Sequence, residues 1–428
     1  MANDVQREAN FIRIRMELST AFTPGGPVKV LDLLKGRIDA INRCIASVGQ
    51  AGQHAILYGE RGVGKTSIAG LVHEIWGDIA KDQDMLLPVR YNCESNDSFQ
   101  AVWKNIAELI KDELDKRHLS HPTGDSWMEL NAAIEDEEAT PHAIRRLLDL
   151  LGRKSIIVID EFNEISDSES IQAFSSMIKG LSDHLVDATI ILVGVADSVD
   201  ELIADHASID RNLAQVLVPR MPTSELRQII RAGYDKVGLN ADETTIDLMG
   251  RLAQGLPHYA HRFGQEAGWA AVARLSHGVE RIDVDQALRQ AVTLTLESIR
   301  QAYHEATFST QKATLFAKVL LACALAEVDD LDYFTAGNVR DPLALVAGKR
   351  YEIPQFVGHL KKFGRAEKGL VLEVTGVEWK RRYRFSNPLM RPYVVLRGIQ
   401  EGLITEQQVK RFEINGTNKE SLDQGRLF

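Results

Sequence analysis

The sequence predicts an α/β protein: a parallel-sheet domain, then a helical subdomain, then a module built from a helix and a hairpin. Three observations carry this. Short, mostly apolar runs alternate with amphipathic helical stretches up to about residue 220; helical periodicity then runs to about residue 300; a basic helix and two extended pieces follow, to about residue 400. The expected boundaries are an N-terminal helical extension over 1–27, the α/β domain over 28–221, the helical subdomain over 222–300, the helix-and-hairpin module over 301–400 and a tail over 401–428. A chain of 428 residues has room for two to four domains.

The strand candidates are Ala55–Tyr58, Leu86–Asn92, Ser155–Ile159, Thr189–Val195 and Val216–Val218. Each is a mostly apolar run, as expected of strands covered on both faces in a parallel sheet. Between the third and fourth, Ile171, Phe174, Ile178, Leu181 and Leu185 recur at helical steps, so a one-faced helix returns the chain across the sheet. Ser120–Asp125 and Glu135–Glu138 read as loop or solvated helix. After Pro222 the helices are punctuated by Gly238 and Gly255. A long apolar helix follows Thr310, and Ile353, Phe356, Val357, Leu360 and Phe363 mark one face of another, with Pro354 in its first turn. Gly369–Thr375 and Trp379–Phe385, separated by a Gly-containing turn, read as a hairpin.

With 44% hydrophobic and 26% charged residues, the composition is that of a soluble globular protein. Cys44, Cys93 and Cys323 are too few and too far apart for a disulfide framework or a four-thiolate zinc site, and point to a reducing cytoplasm. No export signal opens the chain, and the longest apolar stretch, Ala313–Val328, is broken by Lys318, so no membrane span is expected. A net charge of −10 argues against a surface coated with nucleic acid and leaves room for a local basic patch.

The strongest motif is Gly59-Glu60-Arg61-Gly62-Val63-Gly64-Lys65-Thr66, followed by Ser67, directly after a predicted strand and before the helical run Ser67–Trp76. This is a phosphate-binding loop in its required context. Its glycines let backbone amides turn toward an anion, the helix N-terminus adds its dipole, Lys65 reaches the β and γ phosphates, and Thr66 ligates magnesium. ATP with magnesium is the expected cofactor. The run Ser155-Ile-Ile-Val-Ile-Asp160-Glu161 then ends a buried strand in two carboxylates. Asp160 is suited to holding magnesium through water, and Glu161 to polarising an attacking water, which makes the expected activity ATP hydrolysis to ADP and phosphate. The competing explanation, two solvated acids at a strand end, does not account for the loop upstream.

These motifs resemble the AAA+ ATPases over about residues 28–400, and in particular the origin-recognition-like initiator type with a C-terminal winged helix. The resemblance implies roles for further residues. Gly36-Arg37 looks like the motif that approaches the adenine, with Val30 and Leu31 as apolar contacts. Asn92 stands where that branch carries a polar switch restraining the catalytic glutamate. Asp197, ending the strand Thr189–Val195 and its extension, is similar to sensor 1, or else is a helix N-cap. Arg211, with Arg220 as the competing candidate, falls where the family places an arginine finger that reaches a neighbouring subunit, implying a homo-oligomer. Gly255-Leu256-Pro257-His258 resembles the sensor 2 helix with His258 at the usual arginine position and Arg262 one turn on. The same Gly-Leu-Pro also resembles the lid motif of STAND-type signalling ATPases.

From Lys349 to Arg397 twelve basic residues face four acids, a local balance of +8. The helix before the hairpin offers Lys361 and Lys362, and the hairpin offers Lys380, Arg381 and Arg382, as contacts to duplex DNA. A winged helix also serves as a protein-contact module. The expected function is therefore an ATPase that hydrolyses at subunit interfaces and loads on double-stranded DNA, favoured by Asp160-Glu161 and the candidate finger; the alternative is a nucleotide switch of STAND, defence or transposition type that recruits a partner effector protein.

Overall fold

The computed structural model describes residues 2–24, 37–81, 86–95, 97–122, 124–136, 139–196, 199, 202–203, 209–253, 255–293, 297–309, 315–329, 333–377, 380–387, 390–405 and 407–409. Contacts divide the chain into two units, one of residues 27–60 and 64–219, the other of residues 1–26, 61–63 and 220–428. The chain opens with helix α1 (Ala2–Ala21), part of the second unit.

The first unit contains α2 (Ile38–Val48), β1 (His54–Gly59), α3 (Lys65–Lys81), β2 (Leu86–Asn92), α4 (Phe99–Lys116), α5 (Asp125–Glu135), α6 (Pro141–Leu150), β3 (Lys154–Asp160), α7 (Ser168–Asp183), β4 (Ala188–Val195) and β5 (Leu213–Leu217). Its five strands lie in the order β2-β3-β4-β1-β5 and all pair in parallel. This is the parallel P-loop sheet that the sequence predicts. Helices on both faces leave Ile156, Ile157, Val158 and Ile159 fully buried, which is why β3 reads as an unbroken apolar run. Ser98, Thr140 and Asp167 cap α4, α6 and α7 through side-chain oxygens that accept backbone N–H groups. The strand expected at Val216–Val218 is Leu213–Leu217 instead. As an edge strand it pairs with β1 alone, and its half-buried Gln215 interrupts the apolar signal.

His54, fully buried in β1, accepts the Ile190 N–H at Nδ1 (3.0 Å), tying β1 to β4. Burial pushes its pKa from 6.5 down to about 4. The unfolded chain therefore takes up a proton at a pH where the folded one does not. Stability contributed by the neutral ring is full above 6.5 and is lost as pH falls toward 4, by about 2 kcal/mol at pH 5. Urea titrations at pH 7 and pH 5 check this: His54→Asn should lose less than the native protein over that step, and an equal loss would discard His54 as the cause.

The second unit adds to α1 the elements α8 (Thr223–Val237), β6 (Asn240–Ala241), α9 (Glu243–Leu252), α10 (Pro257–Ala273), β7 (Gly278–Val279), α11 (Arg281–Thr293), α12 (Glu297–Thr307), α13 (Phe316–Ala324), β8 (Phe334–Thr335), α14 (Ala336–Ala347), α15 (Ile353–Phe363), β9 (Leu372–Thr375), β10 (Arg382–Phe385) and α16 (Met390–Gln400). α1 packs on α8 and α10, its buried Leu18 facing Gly268 and Phe22 lying against Gly233 and Gly264. β8, β10 and β9 form an antiparallel sheet beside α15, whose Phe356, Leu360 and Phe363 are buried. The first hairpin strand is shorter than expected, because Gly369 and Leu370 turn through positive φ before it. Trp379 and residues 410–428 of the expected tail lie outside the described residues.

All three cysteines are buried and free; burial pushes Cys44 and Cys93 up to about 12 and raises Cys323 as well. Among the described residues no helix is long and apolar enough to cross a membrane.

Candidate functional site

β1 ends at Gly59 and α3 begins at Lys65, so the phosphate-binding loop joins a buried strand to a helix N-terminus. Gly59 is a glycine of necessity: its φ is +141°, and a Cβ would stand 2.5 Å from the Val218 carbonyl oxygen. Gly64, at φ +99°, has nothing within 4 Å of where a Cβ would lie, leaving the backbone open on that side. Lys65 is buried, and its ammonium donates to the loop's own Gly59 and Glu60 carbonyls at 3.0 and 2.8 Å. Val63 and Ser67 are buried, while Arg61 and Gly62 are exposed.

The structure brings Thr66 and Asp160 together. Asp160, 1% exposed at the end of β3, lies with Oδ1 at 3.4 Å from the Thr66 hydroxyl, which donates to it, and at 2.9 Å from the Glu161 N–H. Its other oxygen accepts from Arg90 of β2 at 2.7 Å. Glu161 itself is exposed, with a left-handed backbone (φ 53°, ψ 37°) that an L-residue adopts at a cost. What holds it there follows immediately in sequence. Phe162 is buried edge-on against Phe174 at 4.9 Å, and Phe174 packs the same way on Phe99. Asn163 accepts the Val195 N–H at 2.7 Å, fixing the end of β4 to the segment after Glu161.

Sequence reasoning missed Arg90 and Asn163. An arginine inside the otherwise apolar run Leu86–Tyr91 was the available signal for the first. Asn163 carried none, since its partner is a backbone amide 32 residues away.

The remaining expected residues are more dispersed. Asn92 pairs in register with Asp160, but its side chain is exposed and no hydrogen bond joins it to Glu161. Arg37 is buried and donates to the Pro219 carbonyl at 2.7 Å, a tether within the first unit. Gly36, Val30, Leu31 and Asp197 lie outside the described residues. Arg211 is exposed on a short 3-10 helix, Asp210–Asn212, just ahead of β5. Arg220, in the other unit, runs its stem over Gly255, where a Cβ would stand 2.8 Å from its own. His258, in the first turn of α10, is half-buried and bonded to the Pro24 backbone; burial lowers its pKa, and so does the nearby Arg262. Its neighbour His261 accepts the Thr23 N–H at Nδ1, and burial pushes its pKa down to about 4. Both imidazoles thus anchor the segment after α1.

In the C-terminal module, much of the basic count is engaged internally. Arg382 pairs with Asp329 at 2.8 Å and Arg384 with Glu373 at 2.5 Å, both lying over the Tyr333 ring. Lys368 sits over Phe316 and donates to the Glu305 and Phe308 carbonyls, and buried Arg391 donates to those of Ala324 and Ala326. Arg397 bonds Glu401. Lys362 and Lys380 are exposed; Lys361 and Arg381 are half-buried.

The model of the novel STAND NTPase 1 family matches residues 30–281, more than half the chain. Among solved structures, the Walker-type ATPase PABY2304 of Pyrococcus abyssi is 18% identical, with 87% of this chain and 99% of that one covered at a TM-score of 0.52. The Aeropyrum pernix ORC1 protein in complex with DNA is 17% identical over 91% and 97% at a TM-score of 0.49. The ORC2 protein of the same organism, in ADPNP-ADP complexes, is 13% identical over 90% and 98%, also at 0.49. No curated protein matches the sequence. At these identities the first of the structures supports the fold and nothing finer.

Proposed function

The chain belongs to the novel STAND NTPase 1 family, and on that premise we propose that it is a magnesium-dependent ATP-hydrolysing switch. The observation that carries this reading is the Thr66–Asp160 contact, with Glu161 projecting one residue beyond on a strained backbone. The residues fit the cofactor: the open backbone at Gly64, a buried lysine turned into the loop, and a hydroxyl and a carboxylate side by side form a donor set for a phosphate chain and a hard cation. Residues 59–67 with Lys65 would hold the phosphates, and Thr66 and Asp160 the magnesium. Bound magnesium supplies neutralisation of charge developing on the phosphate oxygens. Glu161 then orients a water and takes its proton. In this reading Arg211 serves a neighbouring copy, and Asp197 reports nucleotide state.

For output, we read the last module as a winged helix that contacts a partner effector protein. The internal engagement of Arg382, Arg384, Lys368 and Arg391 leaves less basic surface than the composition implies. Exposed Lys362 and Lys380 favour duplex DNA as the second reading. Steady-state ATP hydrolysis against protein concentration, with and without duplex DNA and with Lys65→Ala as blank, separates these. Activity per subunit should rise with concentration and ignore DNA. A rise with DNA would move the module to the DNA reading, and no activity above the blank would end the enzymatic one.

A further inference from the structure

Among the described residues Asp160 has one cationic partner. Its carboxylate is 1% exposed, and Arg90, 23% exposed along its side chain, meets Oδ2 at 2.7 Å. The other oxygen is engaged separately, by the Glu161 amide and the Thr66 hydroxyl. Among the described residues nothing else accepts from the Arg90 side chain, and its buried Nε has no acceptor there, so this ion pair is what places the guanidinium. Its path is set by sequence. Arg90 crosses α3 at Gly70, where a Cβ would stand 3.0 Å from Nη1. The smallest residue thus lets the largest cation reach the end of the neighbouring strand.

A buried carboxylate paired in this way presents no net charge to an arriving ion, and the fixed guanidinium repels a divalent cation across a few ångströms of poorly screened space. We propose that Arg90 is an internal competitor for divalent cation at Asp160, so that the cation is held only when nucleotide phosphates add their negative charge. This rests on the magnesium–nucleotide reading above. Arg90 is a positioning residue: it acts through Asp160 and makes cation binding conditional on nucleotide. The protein between turnovers then neither carries a bare buried carboxylate nor collects cations without substrate.

The test measures Mn²⁺ binding to the full chain by the loss of the free-ion EPR signal, without nucleotide and with ADP. The native protein should bind Mn²⁺ tightly with ADP and only weakly without it. Arg90→Met should bind it without nucleotide at least about tenfold more tightly than the native protein does, a difference of about 1.4 kcal/mol. Asp160→Asn in the Arg90→Met background should remove that binding, and Arg90→Lys, which keeps the charge, should restore the native dependence on ADP. Should Arg90→Met fail to fold, Gly70→Ala, a substitution that favours the helix while crowding the guanidinium, should show the same tightening in weaker form. Equal Mn²⁺ binding by native and variant proteins without nucleotide, with ADP-dependent binding intact in both, overturns the role of Arg90 and leaves the magnesium–nucleotide reading standing. No Mn²⁺ binding by any form even with ADP overturns both.

Discussion

Glu161→Gln is expected to lower kcat for ATP hydrolysis by about 10²–10⁴-fold, the usual contribution of a positioned general base, and to leave nucleotide affinity within about threefold. The substitution is nearly isosteric, and Gln meets the same left-handed backbone and the same Phe162 anchor that hold Glu161 in place. Only the ability to take a proton is removed. Asp160 keeps its contacts to Thr66, Arg90 and the backbone amide of residue 161, none of which involves the Glu161 side chain. Single-turnover hydrolysis and equilibrium binding of a fluorescent nucleotide on the same preparation make the comparison. An unchanged rate would remove Glu161 as the base, and a matched loss of affinity would mean that the substitution disturbs the loop rather than the chemistry.

The largest expected effect on stability lies far from that carboxylate. Phe22, fully buried just after α1, sits where Cβ atoms at Gly233 and Gly264 would come within 2.2 and 2.5 Å of its ring. Phe22→Ala should cost about 3–5 kcal/mol, the loss of a buried aromatic. Gly264→Ala should expel the ring and cost slightly less, since alanine is about 1 kcal/mol better than glycine within a helix. The two changes attack one contact, so they should not add. With Phe22 already truncated, Gly264→Ala should turn neutral or mildly stabilising. Urea unfolding of the four proteins, with amide exchange in α1 as a local readout, measures the sign change. Additive losses would show that the small residues of α8 and α10 are spared for some reason other than this ring.

These two cases mark where sequence reading works and where it stops. The phosphate-binding loop and β3 were legible because each is local: a glycine-rich turn between strand and helix, and an apolar run ending in two acids. The grip on Asp160 was not, because Arg90 lies 70 residues away and nothing in periodicity pairs a residue of β2 with the end of β3. The seating of Phe22 spans still more chain. α4, α5 and α6 lie between β2 and β3, where the sequence signals only a loop and an acidic stretch. The basic count overstates the unpaired basic surface for a plain reason. Asp329 and Glu401, which bind Arg382 and Arg397, both lie outside the basic stretch Lys349–Arg397. Gly255-Leu-Pro257, the element that resembles a STAND lid, falls within residues 30–281, which the STAND family model matches.

The buried cysteines have a practical side. Cys93 is buried, and Asp97, Asp160, Glu161 and Glu164 further disfavour its thiolate, while Cys44 and Cys323 are fully buried. A maleimide needs the thiolate and access to it, and the folded chain offers neither. The native sequence is therefore its own cysteine-free background: one cysteine placed on the exposed face of α15 or at Arg211 can carry a fluorophore without first stripping out the natural three. The same thiols become reactive only as the chain opens, so their labelling rate under native conditions clocks how often each unit unfolds.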